Sequence, residues 1–252
     1  MIEEEARKIF PQTKSDGSVS IITLLDRPDW VASLQDYNKP VYIPKRSGGR
    51  RKIMEPKDYL KEAQKRITYY LMSPRGKDLR RYGPSVHAHG FVTKRGRRTN
   101  ALPHIGNSRM LKIDIKDFFG NCTAEKVIDA LRSLEPPDWV LRIVVRTCIL
   151  DGGLPQGSPA SPMLSNIVAR EMDYRLAGLC KSFRNETRSD PIAYTRYADD
   201  LTFTSNWAGL KNLVHPVAHI LDQCGFEIKR SKTKYFVAPA RLESCGVVVS
   251  EE

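Results

Sequence analysis

Two features that define other protein classes are scarce or missing in this sequence. The five cysteines are widely spaced and include no Cys-x-x-Cys pair, which argues against a disulfide framework or a zinc site and favours reduced thiols in a cytoplasm. They are Cys122, Cys148, Cys180, Cys224 and Cys245. No apolar stretch approaches the length of a membrane span, and the first residues are acidic rather than hydrophobic. We therefore expect a cytoplasmic protein with no signal peptide and no membrane partner.

Acidic residues are in the minority. The sequence has 29 Asp and Glu against 41 Lys and Arg, which gives a net charge of +12. A polyanionic partner such as nucleic acid is the first expectation for such a chain, and charge that serves only solubility is the alternative. The 252 residues suffice for one large domain or for two joined lobes.

Two of the acidic residues, Asp199 and Asp200, are adjacent at what we predict to be the tip of a β-hairpin. The tetrapeptide Tyr197-Ala198-Asp199-Asp200 separates two short β-rich runs, residues 192–197 and 201–204, with no helical period on either side. Adjacent carboxylates at a tight turn repel each other, and a turn selected only for stability would more often carry Asn-Gly or Asp-Gly. A bound cation is the expected compensation, and a solvated turn is the alternative.

A further carboxylate projects from an apolar strand upstream. Residues 109–115 alternate with a period of two, so Leu111 and Ile113 lie on one face and Asp114 on the other. If the two elements are neighbours in one sheet, Asp114 and Asp199 converge. Hard carboxylate oxygens suit Mg²⁺, which takes one or two protein carboxylates and binds substrate phosphates as well. Two such ions about 4 Å apart can activate a hydroxyl and stabilise a leaving pyrophosphate.

With two more stretches, these residues resemble the reverse transcriptases. The stretch around Asp114, residues 112–119, is similar to polymerase motif A, Leu-Pro-Gln-Gly-Ser-Pro at residues 154–159 to motif B, and the hairpin tip to motif C. Their order and spacing match the family. Asn-Ala-Leu-Pro-His at residues 100–104 matches the Asn-Ala-x-x-His signature of bacterial retron-type enzymes, whereas Ser-Cys-Gly at 244–246 departs from their usual Val-Thr-Gly. The resemblance runs from about residue 41 to residue 249.

The resemblance implies an α+β fold, that of a right-hand polymerase in which an antiparallel palm sheet packs on helices. It predicts fingers at 41–90, palm with motif A at 91–121, fingers at 122–160 and palm at 161–252. Helical patterns in the first residues predict an N-terminal helical extension at 1–40. The helical thumb of the family is not visible in the sequence, and we expect it to be absent or truncated. Hydrophobic spacing predicts helices over 60–71, 123–134, 137–150 and 210–224.

The resemblance also implies an activity, that of an RNA-directed DNA polymerase, a nucleotidyltransferase with a two-metal mechanism. A retron-type enzyme copies a cognate non-coding RNA into RNA-linked single-stranded DNA. The implied partners are RNA template and primer, deoxynucleoside triphosphates and the DNA product, with an effector or toxin protein in anti-phage defence. Three alternatives stay open: a group II intron-like or defence-associated reverse transcriptase without a retron RNA, an RNA-directed RNA polymerase, and a non-enzymatic RNA-binding scaffold.

The resemblance assigns catalysis and metal binding to a small set of residues. The catalytic residues are Asp114, Asp199, Asp200 and, as a general acid for pyrophosphate, Lys232. Two Mg²⁺ ions, with Mn²⁺ as a substitute, are expected on Asp114, Asp199, Asp200 and the carbonyl of Ile115.

Nucleotide and nucleic-acid contacts are assigned in the same way. A basic hairpin with a glycine turn over residues 41–56 places Lys45 and Arg51 where they can bind a triphosphate. Gln156 and Gly157 are expected to hold the templating base and the nucleotide. Phe119 is expected to act as a steric gate that excludes a 2′-OH. A solvated basic loop is the alternative for the hairpin. The residues expected to contact nucleic acid are Lys94, Arg95, Arg97, Arg98, Asn100, His104, Tyr197 and Gly246.

Overall fold

The computed structural model describes residues 36–45, 48–72, 83–133, 135–136, 138–187 and 190–250. Most of the predicted N-terminal helical extension therefore lies outside the described residues. The chain divides into two compact units, one formed by residues 1–83 and 122–165 and the other by residues 84–121 and 166–252. The described helices include none that is long and apolar enough to cross a bilayer.

The described elements alternate between helices and short strands. In chain order the helices are α1 (Asp58–Met72), α2 (Arg97–Ala101), α3 (Ala124–Arg132), α4 (Asp138–Cys148), α5 (Ser161–Val168), α6 (Arg170–Thr187) and α7 (Val214–Gln223). The strands are β1 (Val41–Pro44), β2 (Arg50–Ile53), β3 (Arg109–Asp114), β4 (Ala193–Tyr197), β5 (Asp200–Ser205), β6 (Lys234–Val237), β7 (Glu243–Ser244) and β8 (Val247–Val248). Short 3₁₀ helices cover Leu102–His104, Ala208–Leu213 and Arg230–Lys232.

In the first unit, β1 and β2 form the predicted basic hairpin. The strands pair antiparallel with Val41 opposite Ile53, and both strands are largely exposed. Gly48 and Gly49 have φ values of 84° and 76°, which L-residues with side chains rarely adopt, so this turn depends on its glycines. Helix α3 begins after a hydroxyl cap, because the Thr123 side chain accepts a hydrogen bond from the Lys126 N–H.

Helix α7 starts later than the sequence pattern predicts. Residues 208–213 form a 3₁₀ segment, and the α-helix begins at Val214, which places Pro216 in the first turn where its missing N–H is harmless. Gly225, at φ 69°, ends the helix as predicted. The N–H groups of Gly225 and Phe226 donate to the carbonyls of Asp222 and Leu221, the two bonds of a Schellman motif.

The second unit is built on an antiparallel four-stranded sheet with the strand order β4-β5-β3-β6. Alternation along the paired strands divides its side chains between two faces. The carboxylate face carries Met110, Lys112, Asp114, Thr195, Asp200, Thr202 and Thr204. The helix face carries Leu111, Ile113, Tyr194, Arg196, Leu201 and Phe203, and it packs on α6.

The outer edge of β4 is covered by a segment that runs alongside it. The Arg196 N–H donates to the His87 carbonyl and the His89 N–H donates to the Arg196 carbonyl, both at 2.8 Å. These bonds satisfy backbone groups that an open sheet edge would leave without partners. They also bring Gly90 and Phe91 to the end of β4, where the hairpin turns.

Candidate active site

The hairpin tip has the predicted position and a tight geometry. Strands β4 and β5 are joined by Ala198 and Asp199 alone, because Tyr197 pairs directly with Asp200. Ala198 has φ 56°, the positive value that primed two-residue turns require at their first position. The predicted hairpin is confirmed, and its two carboxylates leave the sheet at the same end.

The carboxylate of motif A lies at this same end of the sheet. Asp114 is directly opposite Asp200 in the register of β3 and β5, and the Ile115 N–H donates to the Asp199 carbonyl at 2.9 Å. Because the N–H and C=O of one residue point to the same side of an extended strand, the Ile115 carbonyl is also directed towards the turn. The predicted convergence of the two acidic elements is therefore confirmed.

Like charges and burial act together on these carboxyl groups. Burial, with smaller contributions from the carboxylates of Asp200 and Asp114, raises the pKa of Asp199 to about 6. Burial also raises the pKa of Asp200, while the nearby Lys112 ammonium opposes that rise. A site that holds several carboxylates against their mutual repulsion is one in which a cation is favourable.

Lys232 supplies one positive charge to this group. It lies in the 3₁₀ helix Arg230–Lys232, and its Nζ donates to Oδ2 of Asp114 at 2.5 Å. The hydrogen bond to Asp114 raises the pKa of Lys232. Just before this helix, the Lys229 N–H donates to the Asp114 carbonyl at 2.7 Å, which fixes the segment against β3.

The donor set fits a hard divalent cation. Carboxylate and carbonyl oxygens are the ligands that Mg²⁺ prefers. In the described ranges, no three acidic, histidine or cysteine side chains enclose a metal position by themselves. Mg²⁺ is commonly held by one or two protein carboxylates, with substrate phosphates and water completing its ligands.

Arg196 holds the hairpin tip from behind, and sequence reasoning missed it. Its side chain is fully buried on the helix face, and its Nη1 donates to the Ala198 carbonyl at 3.1 Å and to Oδ1 of Asn166 at 3.0 Å. Asn166 in turn donates to the Gly90 carbonyl at 2.9 Å. The backbone of the turn is thus hydrogen-bonded to a buried, charged group. An arginine within an otherwise uncharged strand was the sequence signal for this role.

Asp173 of α6 balances the charge of Arg196. Nε and Nη2 of Arg196 donate to Oδ1 and Oδ2 of Asp173, each at 2.8 Å, and both side chains are fully buried. The Tyr194 and Ser85 hydroxyls donate to the same two oxygens at 2.7 and 2.6 Å. Every oxygen of the buried carboxylate is therefore doubly hydrogen-bonded, as a buried ion pair requires.

Comparison with known protein families shows to which family the chain belongs. A model of the family "Reverse transcriptase (RNA-dependent DNA polymerase)" matches residues 43–249. The chain belongs to the reverse transcriptase family. Reverse transcriptases use divalent metal ions, in keeping with the oxygen donors described above.

Two curated relatives are reverse transcriptases of retrons. The Retron Mx65 reverse transcriptase of Myxococcus xanthus is 36% identical, with 82% of this chain and 50% of that protein aligned. The Retron Ec86 reverse transcriptase of Escherichia coli is 29% identical, with 86% of this chain and 65% of that protein aligned. The chain spans about half the length of the Myxococcus relatives that it matches. The predicted resemblance to retron-type enzymes is confirmed.

Solved structures support the fold. A telomerase from Candida albicans in complex with a fragment of telomeric RNA superposes with a TM-score of 0.54, at 16% identity, over 88% of this chain and 45% of that one. An apo telomerase from Candida tropicalis gives a TM-score of 0.52, at 13% identity, over 98% of this chain and 63% of that one. The predicted α+β polymerase fold is confirmed, whereas the predicted domain boundaries stay predictions.

In the first unit of this reverse transcriptase, motif B lies against strand β2. The Met54 N–H donates to the Gln156 carbonyl at 2.7 Å, and Gly157 has φ 114°. A Cβ on Gly157 would lie 2.7 Å from the Met54 carbonyl oxygen, so the glycine is required by the approach of the protein's own backbone. The nucleotide-binding roles of Gln156, Gly157, Lys45 and Arg51 stay predictions.

The basic run of the second unit serves two purposes. Lys94, Arg97 and Arg98 are exposed, as contact with nucleic acid would require. Arg95 is different, because its Nη1 donates to the Ser85 and Ala88 carbonyls at 2.6 and 2.8 Å. One nitrogen of the half-buried Arg95 guanidinium therefore holds the loop, and contact of Arg95 with nucleic acid stays a prediction.

The prediction that Asn100 and His104 contact nucleic acid is wrong. Both side chains are fully buried, so neither is available to contact nucleic acid. The His104 ring nitrogens bond to the hydroxyls of Thr204 and Thr195 at 2.8 and 2.7 Å, and Asn100 donates to the Ser244 hydroxyl at 2.8 Å. Burial lowers the pKa of His104 to about 4, so the ring is neutral at pH 7. The retron signature therefore fastens α2 and the β7–β8 hairpin onto the carboxylate face.

Gly246 and Tyr197 lie where a nucleic-acid contact remains available. Cys245 and Gly246 form the two-residue turn between β7 and β8, with φ values of 50° and 82°. Gly246 is exposed, and a Cβ at this position would lie 3.7 Å from Nη1 of Arg97. Tyr197 is half-buried beside the hairpin tip. Their roles in binding nucleic acid stay predictions.

Proposed function

We propose that this chain carries the fingers and palm of a retron-type RNA-directed DNA polymerase, which copies a cognate non-coding RNA into RNA-linked single-stranded DNA. The observation that carries this proposal is the meeting of Asp114, Asp199 and Asp200 at one end of an antiparallel sheet, with Lys232 beside them. The aligned retron enzymes, which match 82% and 86% of the chain, support the retron assignment. In this proposal the first unit is the fingers and the second unit is the palm.

The carboxylates hold the metal ions in this proposal. Asp114, Asp199 and the Ile115 carbonyl are the main ligands of two Mg²⁺ ions, which Mn²⁺ can replace, and Asp200 contributes charge or a looser bond. When bound, such ions activate the primer hydroxyl for attack on the α-phosphate and stabilise the leaving pyrophosphate. The primed turn and the buried Arg196 behind it keep Asp199 and Asp200 oriented during this step.

Lys232 acts as the general acid in the proposed reaction. It donates a proton to the leaving pyrophosphate, which carries more negative charge after the bond to the α-phosphate breaks. The hydrogen bond to Asp114 stabilises the protonated ammonium, and the 2.5 Å contact places it beside the metal ligands.

Four residues of the first unit are proposed to bind the nucleotide. Lys45 and Arg51 contact the triphosphate, and Gln156 and Gly157 contact the templating base and the nucleotide. Arg51 lies on the same face of the β1–β2 hairpin as Ile53, because strand side chains alternate. Ile53 would touch a Cβ at Gly157, which supports grouping Arg51 with motif B.

The second unit is proposed to select the sugar and to contact the strands. Phe119 excludes ribonucleotides by collision with a 2′-OH. The exposed Lys94, Arg97 and Arg98, together with Tyr197 and Gly246, contact the RNA template and primer. A cytoplasmic location is part of the proposal, because the wide spacing of the five cysteines and the lack of a Cys-x-x-Cys pair favour reduced thiols. An effector or toxin partner and a role in anti-phage defence rest on the resemblance to retrons.

The test is to express the gene with its native flanking DNA, purify the protein and sequence the nucleic acid that accompanies it. Branched, RNA-linked DNA with the wild type and none with Asp199→Asn is the expected result. Primer extension on an added RNA template, measured with deoxynucleotides and ribonucleotides, is run in parallel.

Three other outcomes would change the proposal. Primer extension without any RNA-linked DNA would point to a reverse transcriptase with no retron RNA. Preference for ribonucleotides would point to an RNA polymerase. Unchanged activity of Asp199→Asn would show that the catalytic site has been placed wrongly.

A further inference from the structure

Phe91 is held against the hairpin tip by its neighbour Gly90. A Cβ on Gly90 would lie 2.7 Å from the Ala198 backbone nitrogen, so only glycine allows the two backbones to approach this closely. The Gly90 carbonyl accepts a hydrogen bond from Asn166, which also accepts from Arg196. The backbone that presents Phe91 is therefore fixed to the turn that carries Asp199.

Phe91 itself has an unfavourable backbone conformation. Its φ is 61°, a value that is a genuine outlier for a bulky residue. Its side chain is 53% exposed, so burial of apolar surface does not compensate for the conformation. Strained residues of this kind cluster at functional sites, where the surrounding structure over-determines them.

The exposed ring lies between two residues of the proposed active site. Its centroid is 6.3 Å from that of Phe119 and 6.5 Å from that of Tyr197, within the range of aromatic pairs. The centroid of Phe119 is also 5.5 Å from that of Phe118, which is buried and pairs with Phe226. The Phe119 ring thus contacts both an internal aromatic cluster and the ring of Phe91.

We propose that Phe91 is a specificity-determining residue, which confines the Phe119 ring so that the gate excludes the 2′-OH of a ribonucleotide. The inference rests on the proposed function, because it assumes that Phe119 faces the sugar of a nucleotide. Steric exclusion requires a wall that does not move when a hydroxyl presses against it. Without Phe91, the Phe119 ring can rotate towards the space that Phe91 vacates, and a ribonucleotide then fits.

The test measures kcat/KM for a deoxynucleotide and for the matching ribonucleotide on one primed RNA template. Phe91→Gly removes the ring and also relieves the positive φ. We expect the deoxynucleotide preference to fall by about 3- to 10-fold, the equivalent of one lost aromatic pair, with deoxynucleotide kcat/KM changed by less than about threefold. Phe91→Leu keeps bulk at the site, so its deoxynucleotide preference should lie between that of the wild type and that of Phe91→Gly. Ile105→Ala is the matched control, because Ile105 is 56% exposed in the same unit and lies outside the proposed site.

A double variant tests whether Phe91 acts through the gate. Phe119→Ala should lower the preference more than Phe91→Gly does. Adding Phe91→Gly to Phe119→Ala should then change the preference no further, since the ring that Phe91 confines is gone.

The failure of this inference can be told apart from failure of the proposed function. No templated incorporation by the wild type would overturn the proposed function and this inference together. Normal incorporation with an unchanged preference in Phe91→Gly would overturn this inference alone. An equal loss with both nucleotides would also overturn it and would instead assign Phe91 to binding of the primer or template.

Discussion

On the carboxylate face of the four-stranded sheet the buried groups include hydroxyls, an imidazole and the Asp114 carboxylate beside the apolar Met110, whereas on the helix face they are mainly apolar and the charged groups form one ion pair. Thr195 and Thr204 on the first face bond to a neutral histidine. Arg196 on the second face is fully paired with Asp173. The same three strands supply both faces, because successive side chains alternate.

The two faces of the sheet use charged side chains in different ways. On the helix face, opposite charges are matched and hydrogen-bonded, so they hold the structure together. At the end of the carboxylate face, like charges are placed side by side and are only partly balanced by Lys232. We conclude that charge serves mainly stability on the helix face and mainly chemistry on the carboxylate face, and substitutions on the two faces should therefore differ in which measurement changes most.

Asp114→Asn should give the largest effect on chemistry and little on stability. We expect primer extension to fall at least about 1,000-fold, or ~4 kcal/mol of transition-state stabilisation, because a metal ligand is lost. The melting temperature should change little, since the variant loses an ion pair with Lys232 but also relieves repulsion with Asp199. Single-nucleotide incorporation and thermal unfolding measure the two effects. Asp129→Asn, at an exposed i,i+3 pair, should alter neither.

Asp173→Asn should have its main effect on stability. It leaves the Arg196 guanidinium buried without a full counter-charge, and we expect the free energy of unfolding to fall by about 3–5 kcal/mol. Urea denaturation measures this loss. A fall of less than about 1 kcal/mol would contradict the assignment of the ion pair to stability.

A double variant sharpens this prediction. Replacing the pair by apolar residues, Asp173→Leu with Arg196→Met, should recover at least half of the lost free energy of unfolding, because no buried charge remains. Primer extension by the double variant should be lower than that of the wild type, because the Ala198 carbonyl has lost its hydrogen bond from Arg196. Full recovery of both properties would show that Arg196 does not orient the hairpin tip.

His104→Asn should change the pH dependence of stability. Burial lowers the pKa of His104 from 6.5 to about 4, so the unfolded chain binds a proton between these values and the folded chain does not. The contribution of the neutral His104 ring to the free energy of unfolding is therefore complete above pH 6.5. It falls by up to about 3 kcal/mol as the pH falls to 4. The variant should lose this part of the acid sensitivity in urea denaturation at pH 4.5 and 7. If the free energy of unfolding of the wild type and of the variant fell equally between pH 7 and pH 4.5, the burial of a neutral His104 ring would be refuted.

Lys116→Met should give the smallest effect. The Lys116 side chain donates to Glu227 at 2.8 Å, but both partners are more than half exposed and water screens the pair. We expect no measurable change in melting temperature or in primer extension. A clear loss of activity would show that Lys116 contacts the substrate.

The catalytic carboxylates were predictable because local patterns encode them. The alternation around Asp114 and the β-rich runs beside Asp199 predict the strand and the hairpin, and both are present in the described structure. The hydroxyl cap at Thr123 and the end of α7 at Gly225 were equally local signals. Where the pattern misplaced the start of α7, Pro216 gave the reason.

The supporting residues were not predictable because their partners are distant in sequence. Arg196 and Asp173 are 23 residues apart, and Asn100 meets Ser244 across 144 residues. A motif shows that such residues matter in a family, but it does not show whether they face solvent or the interior. Asn100, His104 and Arg95 were assigned to nucleic acid for that reason, although their hydrogen bonds are internal.

The close approach of Gly90 to Ala198 has a consequence for engineering and for the divergence of such enzymes. The turn and the segment before Phe91 occupy adjoining space with no room for a methyl group, so neither can be exchanged alone. A chimera that receives residues 197–200 of a relative while keeping its own residues 87–91 should be less active than one that receives both segments. The hairpin tip and this neighbouring segment, rather than the tetrapeptide by itself, form the smallest exchangeable part of the proposed catalytic centre.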